Sequence, residues 1–238
     1  MSTNIWQNVP SKSLDEIEWD AHVRLIGDVH GEERCYLKLL DKARYTIQVG
    51  DMHFDYSFLV ENKVDVTRHR FIGGNHDNYD TIGACAHALG DYGVYEIPEF
   101  GQFFYMRGAW SIDHKGRKKM GVNKSWWEEE ELTVEQGNDC LKLYEQIKPK
   151  LLITHAAPHD IVPFLTDPRF AANFGYDSGV IKTKTSQLLQ AMTDVHRPKM
   201  HVFGHFHKNF DEVIDGTRYV CIKTLHHLDL PKNFVETL

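Results

Sequence analysis

The chain has 238 residues, a near-average apolar fraction of 42% and a formal net charge of −7. That charge disfavours broad, charge-driven binding to duplex DNA or anionic membranes, and no apolar run approaches the ~18 residues a membrane span needs. The length fits one α/β domain over 1–238, with room for a lid.

The first stretch, Met1 to Asp20, is polar and acidic and has no apolar signal core, so a cytoplasmic location is expected. Val23-Arg24-Leu25-Ile26 then reads as a short strand closed by glycine, and it opens onto Asp28-Val29-His30-Gly31. The stretch from Glu32 to Ala43 is helix-compatible. Tyr45 to Val49 repeats the strand pattern and ends at Gly50-Asp51. Arg68 to Ile72 repeats it again before Gly73-Gly74-Asn75-His76-Asp77, and a second helix-compatible stretch runs from Tyr79 to Leu89. From Asp113 to about Thr133 a basic, glycine-punctuated insertion carries Lys115, Arg117, Lys118 and Lys119, then Trp126-Trp127 and four consecutive glutamates. This is the expected lid, and Glu128 to Glu131 read as a solvated helix start. Thr133 is placed to cap a helix running to Ile147, with Glu135 and Gln136 in its first turn and Pro149 as its stop. Leu151-Leu152-Ile153 precedes Thr154-His155, and Met200 to Phe203 precedes Gly204-His205-Phe206-His207.

Strand followed by helix, repeated, implies a parallel α/β sheet. In such sheets ligands bind outside the carboxyl ends of the strands, which is where these polar clusters fall. On an extended segment, side chains two apart point the same way, so Asp28 and His30 are expected to reach one ion. His205 and His207 either do the same or diverge to neighbouring ions. Asp51 has two oxygens and can bridge. Asn75 offers a carbonyl oxygen and His155 a further nitrogen. Asp28, His30, Asp51, Asn75, His155, His205 and His207 are too many for one tetrahedral zinc and suit two ions sharing Asp51. The N/O donor set admits Mn, Fe, Zn, Co or Ni. Two such ions clamp an in-line phosphoryl displacement and acidify water. His76 is placed to protonate a leaving alkoxide or to steer the phosphate. Asp77 either holds the tautomer of His76 or caps the helix after it.

The motifs D-x-H at Asp28/His30, G-D at Gly50/Asp51, G-N-H-D at Gly74 to Asp77, His155 before Ala156-Ala157-Pro158, and G-H-x-H at Gly204 to His207 resemble those of the calcineurin-like metallophosphoesterases, in the same order and across most of the chain. The resemblance implies a four-layer α/β/β/α sandwich with two central mixed sheets and a dinuclear centre. It places Asp28, His30 and His207 on one metal, Asn75, His155 and His205 on the other, Asp51 between them, and His76 as the catalytic histidine. Two departures stand out. Phe54 occupies a position where the family often has Asp, leaving His53 or Asp55 to take over its supporting role. Asp55-Tyr56 and Gly73 replace two arginines that bind phosphate in the Ser/Thr protein phosphatase branch. The segment Arg107 to Asp113, with Trp126-Trp127 and Glu128 to Glu131, resembles a bacterial and phage subgroup.

The function expected from these residues is hydrolysis of a phosphate ester by metal-activated hydroxide, with manganese among the candidate metals. The partner is a small phosphorylated substrate or nucleotide, most simply a phosphomonoester. A phosphodiesterase acting on cyclic nucleotides or nucleic-acid ends is the alternative, and a non-catalytic metal-binding scaffold is a further one. Arg107 and Arg117 are the candidate substrate contacts; an Arg107–Asp113 ion pair and a solvated Arg117 are the competing structural readings. Cys35, Cys85, Cys140 and Cys221 form no CxxC pair and are expected to be free thiols.

Overall fold

The structure, a computed structural model, describes residues 19–167, 169–176 and 181–238. The first half runs β1 (Ala21–Ile26), α1 (Glu33–Leu39), β2 (Ala43–Gln48), α2 (Ser57–Glu61), β3 (His69–Phe71), β4 (Tyr92–Ile97), β5 (Gly101–Met106) and α3 (His114–Met120). The second half runs α4 (Val134–Ile147), β6 (Leu151–Thr154), α5 (Val162–Leu165), α6 (Lys184–Val195), β7 (Met200–Phe203), β8 (Phe210–Ile214), β9 (Thr217–Cys221), β10 (His227–Leu230) and α7 (Phe234–Thr237).

Among the described residues ten strands form two mixed sheets, ordered β10-β1-β2-β3 and β4-β5-β6-β7-β9-β8. The parallel runs are β1-β2-β3 in one and β5-β6-β7-β9 in the other; the first sheet takes an antiparallel strand at one edge, β10, and the second at both, β4 and β8. Period-two alternation explains the layering. Val23, Leu25, Ile47 and Val49 of the first sheet meet Phe103, Leu151, Ile153 and Val202 of the second in one buried cluster. The opposite faces are covered by helices. Ile26 and Phe71 pack with Tyr36, Phe58 and Leu59, while Phe104, Met106 and Leu152 pack with Cys140, Tyr144, Leu189 and Met192. This is the expected α/β/β/α arrangement. Among the described residues no helix is long and apolar enough to cross a membrane.

Thr133 caps α4 as expected. Its hydroxyl accepts from Gln136 N while the Gln136 side chain accepts from Thr133 N, which closes a capping box. The expected helix over Tyr79 to Leu89 is not formed. The segment holds one 3₁₀ turn, Ile82–Ala84. The Asn78 side chain accepts from Asp80 N, a local alternative to helical bonding. The following backbone joins the edge of β3 instead, with Phe71 N donating to His87 O and Leu89 N to Phe71 O.

The 113–133 segment is anchored to the domain at its tryptophans, while residues 118–120 and 122–124 are exposed. Trp127 is 1% exposed, lies against Phe54 and donates its indole N–H to Asp80. Replacing Trp127 with Ala is expected to destabilise the fold by about 3–5 kcal/mol, measurable by urea unfolding.

Candidate metal centre

The ends of β1, β2, β3, β6 and β7 deliver their polar residues to one place. Asp28 Oδ1 accepts from His205 N, and its Oδ2 lies 3.0 Å from His207 Nε2 and 3.6 Å from His30 Nε2. The His30 and His207 Nε2 atoms are 2.9 Å apart. Asp51 Oδ1 accepts from His76 N at 2.7 Å and lies 3.2 Å from His155 Nε2, while its Oδ2 lies 3.8 Å from His30 Nε2. Asn75 Oδ1 is 3.1 Å from His155 Nε2. Two groups result: Asp28, His30, Asp51 and His207 in one, and Asp51, His155 and His205 in the other. In each, the potential ligand atoms lie within 4.8 Å of one another. Asp51 belongs to both, and Asn75 adjoins the second.

The donor set fits divalent cations. Oδ2 of Asp28 and Oδ2 of Asp51 are buried without a hydrogen bond, an arrangement that costs free energy unless a positive partner completes it. His30, Asp51, His205 and His207 have φ of 50°, 61°, 66° and 55°. Left-handed backbone in non-glycine residues is strained and clusters at functional sites. It also corrects one sequence argument, because these residues are not on extended segments. Asp28 and His30 converge through a turn, and His205 and His207 diverge, one to each group. The loops must also pass close to one another. Gly50 has φ of 107°, and a Cβ there would strike the His155 ring; a Cβ on Gly74 would meet Asp51 and His155 Nε2.

Val49 O, 2.8 Å from His155 Nδ1, sets that ring's tautomer and turns Nε2 toward Asp51 and Asn75. Burial works against charge on both Asp51 and His155, yet each is the other's counter-ion. Asp51 is held well below the usual carboxylate range and His155 is raised to about 9. Burial likewise opposes ionisation of Asp28, but the imidazoles of His207 and His30 hold it down at about 2. Burial, reinforced by the neighbouring His155, drops His205 to about 3 and leaves it a neutral donor. Burial also lowers His76, helped by Arg117 and opposed by Asp51.

Asp77 is fully buried and accepts from the backbone N–H groups of Asp51, His53 and Gly74 and from the Tyr56 hydroxyl. Neither expected contact, to the His76 ring or to a following helix, is among these bonds. Asp77 instead clamps the loops that carry Asp51 and Asn75. Burial and the charge of Asp51 push its carboxyl up to about 7. Asp55 does not replace the family's missing carboxylate; its side chain accepts from Ser57 N and Oγ. His53 contributes its backbone N–H to Asp77, and its ring stacks on Phe54.

Arg107 does not face the centre. It is 6% exposed, its guanidinium pairs with Asp91 rather than Asp113, donates to Glu129 O and lies 4.4 Å over the Tyr79 ring. Arg117 is buried, not solvated, with Nη1 3.4 Å from Asn75 O and 3.3 Å from Ser111 Oγ.

Sequence reasoning missed Ser111 and Glu130. Glu130 is 2% exposed, not solvated, and burial raises its carboxyl to about 7. It accepts from Ser111 N and, at 2.6 Å, from Ser111 Oγ. A hydroxyl has one proton to give. With that proton committed to Glu130, Ser111 Oγ must accept from Asn75 Nδ2, 3.0 Å away. The amide is thereby oriented with its oxygen toward His155 and Asp51.

Beside the centre lies a cavity of about 390 Å³. Asp51, Asn75, His76, His205 and His207 form one end of it, and residues of the 162–174 segment supply much of the remaining wall. The 113–133 segment contributes Asp113 to that wall.

Two mixed sheets packed face to face, with a buried carboxylate shared by two His/Asp groups at their strand ends, define the class of metal-dependent phosphate-ester hydrolases. The sequence matches the model of the calcineurin-like phosphoesterases over residues 21–209, and the chain belongs to that family. No curated protein matches it. Among solved structures it is similar to a phosphopantetheinyl hydrolase from Mycobacterium tuberculosis, with 12% identity, a TM-score of 0.45, and 88% of this chain and 92% of that one covered. It is also similar to a dimetal phosphatase from Danio rerio, with 10% identity, a TM-score of 0.49, and 87% and 89% covered.

Proposed function

We propose that the protein is a phosphomonoesterase using two divalent cations, with Asp28, His30 and His207 holding one, Asn75, His155 and His205 the other, and Asp51 both. The observation that carries this reading is Asp51, which belongs to both ligand groups and keeps one buried oxygen without a hydrogen bond. Cations held there neutralise charge on phosphate oxygens and lower the pKa of water, whichever of Mn, Fe, Zn, Co or Ni is native. Water adds to phosphorus, the bond to the alcohol oxygen breaks, and the alcohol leaves with a proton.

The chain's own groups prepare that step. His76 lines the cavity end formed by the ligands and offers its ring to the phosphate. Ser111 and Glu130 fix the face that Asn75 presents. Arg117 adds fixed positive charge next to His76. The free thiols of Cys35, Cys85, Cys140 and Cys221 suit a reducing, cytoplasmic setting.

The test is hydrolysis of p-nitrophenyl phosphate against its bis-ester after loading with Mn²⁺. Faster turnover of the monoester is expected. Preference for the bis-ester would move the assignment to phosphodiesters, and no turnover of either would remove the hydrolase reading. A second measurement addresses the hydroxyl that orients Asn75. Ser111→Ala is expected to lower metal affinity or activity by about 10–100-fold, the usual effect of losing a partner that orients a ligand, with metal content and thermal unfolding recorded together.

A further inference from the structure

The walls of the 390 Å³ cavity are built into the ligand loops themselves. Phe206 sits between His205 and His207, its ring centroid 4.9 Å from that of His205. Trp110 directly precedes Ser111, the residue that holds Asn75. Ala156 and Ala157 directly follow His155 and also line the space. Val162, Leu165, Phe170 and Phe174 line the same space. Phe170 is 46% exposed, with its ring 5.3 Å from Phe174. A large aromatic side chain left this open in the lining of a concave site has apolar surface still to bury. The volume lies within the range of small-molecule sites, and the lining is mostly apolar, with polar groups in the ligand cluster and at Asp113, Thr166, Asp167, Thr183, Ser186 and Lys208.

The ligand cluster faces this space. An organic group in this cavity is therefore attached to whatever the cluster holds. We propose that the substrates are phosphate esters of apolar alcohols, with the phosphate at the His76 end and the alcohol's hydrocarbon chain or ring between Trp110, Phe206 and the Phe170/Phe174 pair. This rests on the phosphomonoesterase reading above and adds the class of leaving group to it. A sugar or polyol held among those rings would leave hydroxyls against hydrocarbon, which costs free energy that an alkyl or aryl group does not incur.

The experiment separates chain length from chemical reactivity and from turnover. The full-length, Mn²⁺-loaded protein is titrated calorimetrically with ethyl-, butyl- and hexylphosphonate, which carry the same head group and are not hydrolysed. Burial of each methylene is worth about a fourfold gain in affinity when complete, so a rise of at least about tenfold from ethyl to hexyl is expected. In a Phe170→Ala/Phe174→Ala variant the hexyl-to-ethyl ratio should fall toward one. A flat series in the wild type overturns the proposal even if p-nitrophenyl phosphate is hydrolysed. A rise undiminished in the double variant also overturns it, because chain length would then be read elsewhere. A rising series that the variant flattens, in a protein without turnover, supports the pocket assignment while striking only the hydrolase reading.

Discussion

Asp51→Asn is expected to abolish two-ion binding and to reduce phosphatase activity by more than the roughly 10–100-fold that follows loss of an outer hydrogen-bonding partner. The substitution keeps the shape of the side chain and removes only its charge. That charge is the group shared by both ligand sets, and it sits 1% exposed. The same carboxylate raises His155 to about 9. At pH 7 the metal-free protein therefore carries a proton on His155 that a cation must displace before the imidazole can ligate. The sign follows directly. Apparent metal affinity should rise with pH by about tenfold per unit up to about pH 9 as that proton becomes easier to remove, and binding should release protons into a weak buffer. In Asp51→Asn the imidazole loses its counter-ion while burial still disfavours its charge. His155 becomes neutral at pH 7, so the protein need not unfold, and the pH slope should flatten. Metal analysis with equilibrium dialysis at pH 7, 8 and 9 checks both halves. A variant that retains two ions and full rate would remove Asp51 from the centre.

The convergence of these side chains was legible because the chemistry of strand ends repeats along the chain. A short apolar run, a glycine, then Asp, Asn or His recurs at Gly27-Asp28, Gly50-Asp51, Gly74-Asn75 and Gly204-His205, and each lands at a parallel strand's carboxyl end. Backbone geometry was not legible. The i, i+2 argument brought Asp28 and His30 together for the wrong reason, since the pairing depends on a left-handed His30 that no local residue preference announces. Arg107 failed as a substrate contact because an arginine near a motif looks the same whether it meets phosphate or a distant partner, here Asp91. Glu130 was hidden among four consecutive glutamates, of which only Glu128 and Glu129 are exposed as a solvated run should be, while Glu131 accepts from Thr185 N and Oγ1. Only the fold brings the Glu130 backbone oxygen to Ala109 N and its carboxyl to Ser111. The 162–174 wall carries no motif, and its contribution appears only once its apolar side chains line the same space as Trp110 and Phe206. The N-cap at Thr133 was readable because it is entirely local.

His76→Ala is expected to lower kcat by about 10²–10⁴-fold, the range for loss of a group positioned on the reacting atoms, while leaving both ligand sets intact. The His76 backbone N–H donates to Asp51 Oδ1, a bond that alanine retains, while its ring meets the His30 ring edge-on with centroids 5.1 Å apart. The two roles open to the ring, proton donor or hydrogen-bond donor, predict different pH behaviour, and the electrostatics favour the second. Burial lowers the His76 pKa below the usual histidine value, and the adjacent Arg117 pushes the same way, against the pull of Asp51. Cations bound to Asp51 would weaken that opposing pull. At neutral pH the ring is then an uncharged imidazole, which still has one N–H to place on a phosphate oxygen but no acidic proton to deliver. Because the neutral form persists above the lowered pKa, no loss of kcat between pH 7 and pH 9 should trace to His76, and the deficit of His76→Ala relative to wild type should be constant across that window. His76→Asn, which keeps an N–H donor and has no titrating group, should recover part of the loss. A wild-type kcat that falls tenfold per pH unit above neutrality, with the alanine variant flat, would instead make His76 the acid that protonates the departing alcohol.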